Sequence, residues 1–160
     1  MIKDIGWKNG KWQKTEDIKI SIRDRGLRFG DALFETILIK NKKPVFLDEH
    51  IQRFQNNLKI LKFDSTIDNL LLQNIVLNGI NKLDIQKEEY GSIRINYSRG
   101  INITRSIKID PLEFNFNANN LWIEFYKIHI DFNPITVHIS KEEKRNEYSR
   151  LSSCKTFNYI

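Results

Sequence analysis

The sequence has 160 residues, 40% of them hydrophobic and 29% charged, which suits one ordinary domain, or one domain and part of a second, and excludes a disordered chain. A single cysteine, Cys154, excludes an internal disulfide; no apolar run approaches the roughly 20 residues that cross a bilayer, and the opening residues lack the apolar core of a signal peptide, so no membrane partner and a reducing cytoplasm are expected. Twenty-six Lys and Arg against 20 Asp and Glu give a net charge of +6, but the cations are scattered rather than gathered in a stripe, which argues against a nucleic-acid partner.

Trp7-Lys8-Asn9-Gly10-Lys11-Trp12 sets an Asn-Gly pair between aromatics and predicts a tight two-residue hairpin. Ile18, Ile20 and Ile22 alternate, and the glycine-punctuated stretch Asp24 to Asp31 reads as a loop in which Gly26 and Gly30 make structural turns. Leu33 to Ile39 predicts a strand, with Leu33, Glu35, Ile37 and Ile39 facing oppositely to Phe34, Thr36 and Leu38. Asn41 to Pro44 form a turn, and Val45 to Leu47 a short strand or helix entry. From there the period changes: Leu47, Ile51, Phe54, Leu58 and Leu61 mark an amphipathic helix, with Asp48 as its cap. Ser65-Thr66 open a second helix, carrying Ile67, Leu70, Leu71, Ile75 and Ile80 and ending near Lys82. Strands then return: Ile93, Ile95 and Tyr97 alternate with Arg94, Asn96 and Ser98, and Leu121–Ile128 and Ile135–Ile139 follow.

This order predicts an α+β fold over residues 1–130: a mainly antiparallel sheet with helices packed on one face. Residues 131–160 read as a connector, with the charged run Lys141 to Glu147, and the start of a truncated second domain. Residue types and spacing leave the function open. His50, His129 and His138 stand far apart, so no metal site is expected, and each reads as a packed or surface histidine. Asp48-Glu49 and Glu142-Glu143 are adjacent and diverge by about 100° on a helix. Gly26 and Gly30 make no phosphate fingerprint, and Cys154 has no evident base. Spacing alone marks neither Arg53 nor Lys155 as reactive.

Four words nevertheless stand in a familiar order: Asp24-Arg25-Gly26 through Phe29-Gly30-Asp31-Ala32-Leu33-Phe34-Glu35-Thr36; Glu49-His50-Ile51-Gln52-Arg53-Phe54; Arg94-Ile95-Asn96-Tyr97-Ser98-Arg99-Gly100; and Lys155-Thr156-Phe157-Asn158-Tyr159. With them the chain resembles, over essentially its whole length, the class IV aminotransferases. These are the fold-type-IV pyridoxal 5'-phosphate (PLP) enzymes, which include branched-chain and D-alanine aminotransferases and 4-amino-4-deoxychorismate lyase.

The resemblance implies that Lys155 joins covalently to the cofactor's aldehyde and later moves protons on the substrate. An amine must lose its proton to attack an aldehyde, a task that arginine cannot perform. It implies that Arg53 grips the cofactor phosphate, for which a planar guanidinium is suited. Phe34 and Arg94 then face the substrate pocket, Arg94 to meet a substrate carboxylate, with Arg99 and Arg105 as further candidates for that task. The expected substrate is an amino acid or an amino-chorismate and the expected assembly a homodimer. The activity is amino transfer to a keto acid or, alternatively, a lyase reaction that releases pyruvate and leaves 4-aminobenzoate for folate biosynthesis. Family members are usually longer, with a second domain after the lysine that supplies a carboxylate to the pyridine nitrogen; here Lys155 stands 160 − 155 = 5 positions from the last residue. A weakly active, incomplete fragment is therefore expected. A non-catalytic binding or dimerisation domain is the alternative from another class, and a nucleic-acid binder has only the net charge behind it.

Overall fold

The computed structural model describes residues 4–63, 67–101, 119–139 and 155–156. Strands β1 (Asp4–Lys8) and β2 (Lys11–Gln13) form the expected hairpin, with Asn9 at φ 44° and Gly10 at φ 96° supplying the two left-handed residues of its turn. Next comes a short helix, α1 (Arg25–Phe29), where a loop was expected. Its cues flank it: the Asp24 carboxylate accepts the Gly26 N–H at 2.8 Å, and Gly30 closes the helix at φ 68°. Five residues are too few to show a helical period.

Strand β3 (Ala32–Lys40) turns through Asn41 and Lys42, both at positive φ, into β4 (Lys43–Pro44). Two helices follow, α2 (Leu47–Ile60) and α3 (Asn69–Lys82), and then strands β5 (Tyr90–Ser98) and β6 (Asn120–Ile128). The six strands make one antiparallel sheet in the order β2-β1-β6-β5-β3-β4. Helix α2 packs on β3 and α3 on β1.

The core lies between that sheet face and the helices. Leu33 and Ile37 of β3, Ile93 and Ile95 of β5, and Ile123 and Phe125 of β6 pack with Ile51, Phe54 and Leu58 of α2 and with Leu72, Ile75 and Val76 of α3. Burying each such side chain contributes about 1.5–3 kcal/mol. Apart from Glu35, the residues of β3 and the middle of β5 that turn to the helices are apolar, and the pleat leaves the intervening residues on the opposite, open face.

Three expectations need correction. Ile135–Ile139 is not a strand, its isoleucines and valine being exposed, because alternation alone does not provide a neighbouring strand to pair with. The residue at the N-cap of α2 is Phe46, at φ 54° and without a side-chain cap; Asp48 lies inside the first turn, where its carboxylate favours the positive helix end and accepts from Gln73 Nε2. Helix α3 begins at Asn69, with Asp68 accepting the Leu70 N–H, whereas Ser65-Thr66 lie outside the described residues. The charged run Lys141 to Glu147 and Cys154 also lie outside them. No helix of the described residues is long and apolar enough to cross a membrane.

Gly79 sets the distance between α3 and the sheet, since a Cβ there would press into the buried ring of Phe125. Gly79→Ala is expected to cost about 1–3 kcal/mol despite alanine's better helix propensity, read as a lower urea midpoint.

Candidate functional site

Consecutive residues of β3 serve opposite faces of the sheet, and the site is divided between them. Glu35 points to the helices and is 0% exposed. A carboxylate so placed needs hydrogen-bonding partners, and α2 brings two of them, His50 and Arg53, three residues apart on one helix face. Arg53 grips it bidentately, Nε to Oε1 at 2.7 Å and Nη2 to Oε2 at 2.6 Å, and His50 Nδ1 lies 2.8 Å from Oε2. A carboxylate oxygen can only accept, so His50 Nδ1 carries the hydrogen; its 3.1 Å approach to Arg53 Nη2 is then two donors converging on one oxygen. The hydrogen bond to Glu35, helped by its charge and opposed by partial desolvation, raises the Arg53 pKa, so the guanidinium stays cationic at every pH at which the fold exists.

Arg53 is not used up by this pairing. Its side chain is 40% exposed, and Nη1 makes no hydrogen bond among the described residues. The geometry is a cation anchored from behind, with its outer edge presented for an anion.

On the open face the register sets two rows side by side, Phe34–Asn96–Trp122 and Thr36–Arg94–Glu124 across β3, β5 and β6. The Arg94 guanidinium carbon lies 3.9 Å from the Phe34 ring centroid, and Arg94 Nε donates to Asn96 Oδ1 at 3.0 Å. Asn96 Nδ2 donates in turn to Glu124 Oε1 at 3.0 Å, which also accepts the Trp122 indole N–H at 3.1 Å.

Lys155 reaches this face from the edge of the sheet. Leu33 pairs with Thr156 as an isolated antiparallel bridge, and the Phe34 N–H donates to the Lys155 carbonyl at 2.8 Å. The Lys155 ammonium then lies 5.8 Å from the Phe34 ring centroid. The structure thus brings Phe34, Arg94 and Lys155 together, while Arg53 is fixed by the very next residue, Glu35.

Arg99 is a correction. It shares its parity with Tyr97 and turns to the helix side, where it is buried. There Nε donates to Asp31 at 3.1 and 3.2 Å, Nη1 and Nη2 donate to the carbonyls of Lys62 and Leu61, and the guanidinium lies over the Phe63 ring. It closes the C-terminal end of α2 and does not join Arg94. Arg105 lies outside the described residues. The Ser98 hydroxyl donates to the buried Asp24 carboxylate, which also takes the Asn120 amide. Sequence reasoning gave no role to Glu35 or Glu124 and set His50 aside. For Glu35 the signal was present: it is the lone acid in the apolar row Leu33, Ile37, Ile39. Among the described residues no cluster of three or more His, Cys, Asp and Glu side chains could hold a metal ion.

Comparison with known proteins places this arrangement. The family model for amino-transferase class IV matches residues 32–160. The chain is 31% identical over 93 residues to aminodeoxychorismate lyase of Bacillus subtilis, covering 58% of this chain and 31% of that one. It is 29% identical over 93 residues to D-alanine aminotransferase of Staphylococcus aureus, covering 58% and 32%. Among solved structures, the branched-chain amino acid aminotransferase of Escherichia coli superposes with a TM-score of 0.78 at 18% identity, over 98% of this chain and 52% of that one. The matched stretch therefore spans about a third of the length of these curated relatives.

The Glu35–Arg53 pair sets its own test. Arg53→Leu leaves a fully buried carboxylate with His50 alone and is expected to destabilise by about 3 kcal/mol, the lower end for breaking a buried pair because the guanidinium is part exposed. Adding Glu35→Leu should recover most of that loss, an interaction visible in a urea double-mutant cycle.

Proposed function

The chain belongs to the amino-transferase class IV family, and from that premise we propose that it is part of a PLP-dependent aminotransferase acting on an amino acid. The observation that carries this reading is the seating of Lys155 on β3, with its amine near the Phe34 ring that Arg94 also lies over, and with Arg53 held by Glu35, the residue after Phe34. The residue types suit the cofactor, one on each side of β3: Arg53, on the helix side, offers an anchored, part-exposed cation for a phosphate dianion, and Lys155, on the open side, is a primary amine near the Phe34 ring. When bound, the cofactor supplies the ring that withdraws electrons from the substrate's α-carbon.

The chain's own residues do the rest. Arg53 holds phosphate oxygens and, being fixed from behind by Glu35, loses little freedom in doing so. The Lys155 amine is the nucleophile toward the aldehyde and the carrier of the proton at the α-carbon. Arg94, held over the Phe34 ring, orients the substrate carboxylate. The substrate is a small amino acid, and the working assembly a cytoplasmic homodimer.

A second reading, a lyase that expels pyruvate from an amino-chorismate and leaves 4-aminobenzoate, is favoured by the 31% identity to the Bacillus subtilis lyase.

Mixing the purified protein with PLP should produce an absorbance at the edge of the visible that survives dialysis, and borohydride should fix the cofactor to the peptide containing Lys155. Both signals should vanish in Lys155→Ala, and retention of either overturns the assignment of the lysine. Arg53→Leu should weaken half-saturation at least tenfold, about 1.4 kcal/mol. Pyruvate release from amino-deoxychorismate without an added keto acid selects the lyase; amino transfer that requires one selects the aminotransferase.

A further inference from the structure

Arg94 and Glu124 are direct cross-strand partners on β5 and β6, both on the open face and both part exposed. Opposite charges so placed ordinarily pair. Here they do not: among the described residues Arg94 makes no ion pair at all. Asn96 stands between them. Its Oδ1 accepts from Arg94 Nε at 3.0 Å and its Nδ2 donates to Glu124 Oε1 at 3.0 Å. A guanidinium has only donors and a carboxylate only acceptors, so the amide can bridge them in this one orientation. The side chain is 1% exposed, so solvent does not compete for either bond. The Trp122 indole N–H donates to the same Glu124 oxygen, and the Arg94 guanidinium carbon lies over the Phe34 ring.

We propose that Asn96 is a positioning residue that keeps Arg94 and Glu124 apart, and so leaves the outer nitrogens of Arg94 to a carboxylate ligand. This rests on the reading of Arg94 as the substrate-carboxylate group. The ligand class is a small carboxylate such as a keto acid, which meets a cation whose charge no neighbouring acid cancels. Without Asn96 the two cross-strand charges close on each other, and an incoming carboxylate has to displace Glu124 first. An asparagine that served only to fill space would give no such antagonism between Asn96 and Glu124.

Pyruvate is the probe, titrated into the purified chain and followed by calorimetry and tryptophan emission, with circular dichroism confirming the fold of each variant. Wild type should bind saturably. Asn96→Ala, and Asn96→Ser as the gentler change, should raise Kd at least tenfold. Glu124→Gln alone should stay within about threefold of wild type, and Asn96→Ala with Glu124→Gln should return to that range because the competing charge is gone. Arg94→Gln should abolish saturation. If the double variant binds no better than Asn96→Ala, or if Asn96→Ala binds like wild type, the positioning role is overturned while the carboxylate site stands. If Arg94→Gln binds like wild type, or wild type shows no saturable binding, the carboxylate reading itself fails and takes this proposal with it.

Discussion

A charge without access to water governs how this fold is put together. Glu35 sits in the layer between sheet and helices with no exposed surface, in a row that is otherwise leucine and isoleucine. Left alone it would be among the most unfavourable groups in the molecule. Its neutralisation requires α2 to lie across β3 at one rotation and one height, because only then do Arg53 and His50 both reach it. A hydrophobic face on α2 specifies contact with the sheet but tolerates sliding; three directed, charge-assisted hydrogen bonds do not. The same constraint delivers the outer half of Arg53 to a fixed place, so what positions the helix also prepares an anion contact.

The sheet carries the second half of the arrangement by geometry alone. Because β3, β5 and β6 are antiparallel and in unbroken register, residues far apart in sequence become neighbours in rows, and Thr36, Arg94 and Glu124 come to lie beside Phe34, Asn96 and Trp122. Near the end of β5 two acids, the buried Asp24 and the part-buried Asp31, fasten the approach to β3: Asp24 takes Ser98 and Asn120, and Asp31 is shared by Arg25 and Arg99. These contacts hold the first residues of β3, against which Lys155 and Thr156 lie.

How far the sequence reveals this depends on the length and kind of each signal. Strand β3, strand β5 and helix α2 repeat their periods long enough to be read directly, and the Asn-Gly hairpin has a local code. Helix α1 is too short for a period, and only its cap residues mark it. Ile135–Ile139 shows that alternation is necessary for a half-buried strand but does not create a partner. Arg94 and Arg99 look alike on paper; parity separates them, since one lies among residues facing away from the helices and the other among those facing them. The roles of Glu35, His50 and Asn96 depend on neighbours that only the folded chain assembles: α2 for the first two, β6 for the third. Lys155 carries no periodic or compositional signal at all, and only the likeness of its surrounding words to a family singled it out.

Phe34 and Glu35, side by side in the chain, want opposite surroundings, an aromatic ring on the polar side and an acid among hydrocarbons. A pleated strand exchanges all its side chains between faces when it slips by one residue. In β3 such mispairing would strand the acid away from its two bases, thrust the ring under the helices, and carry the chain that lies along the edge to the wrong side. The strand is thereby proofread by electrostatics as well as by hydrophobicity, and a folding error that an all-aliphatic strand could survive becomes one this protein cannot hold.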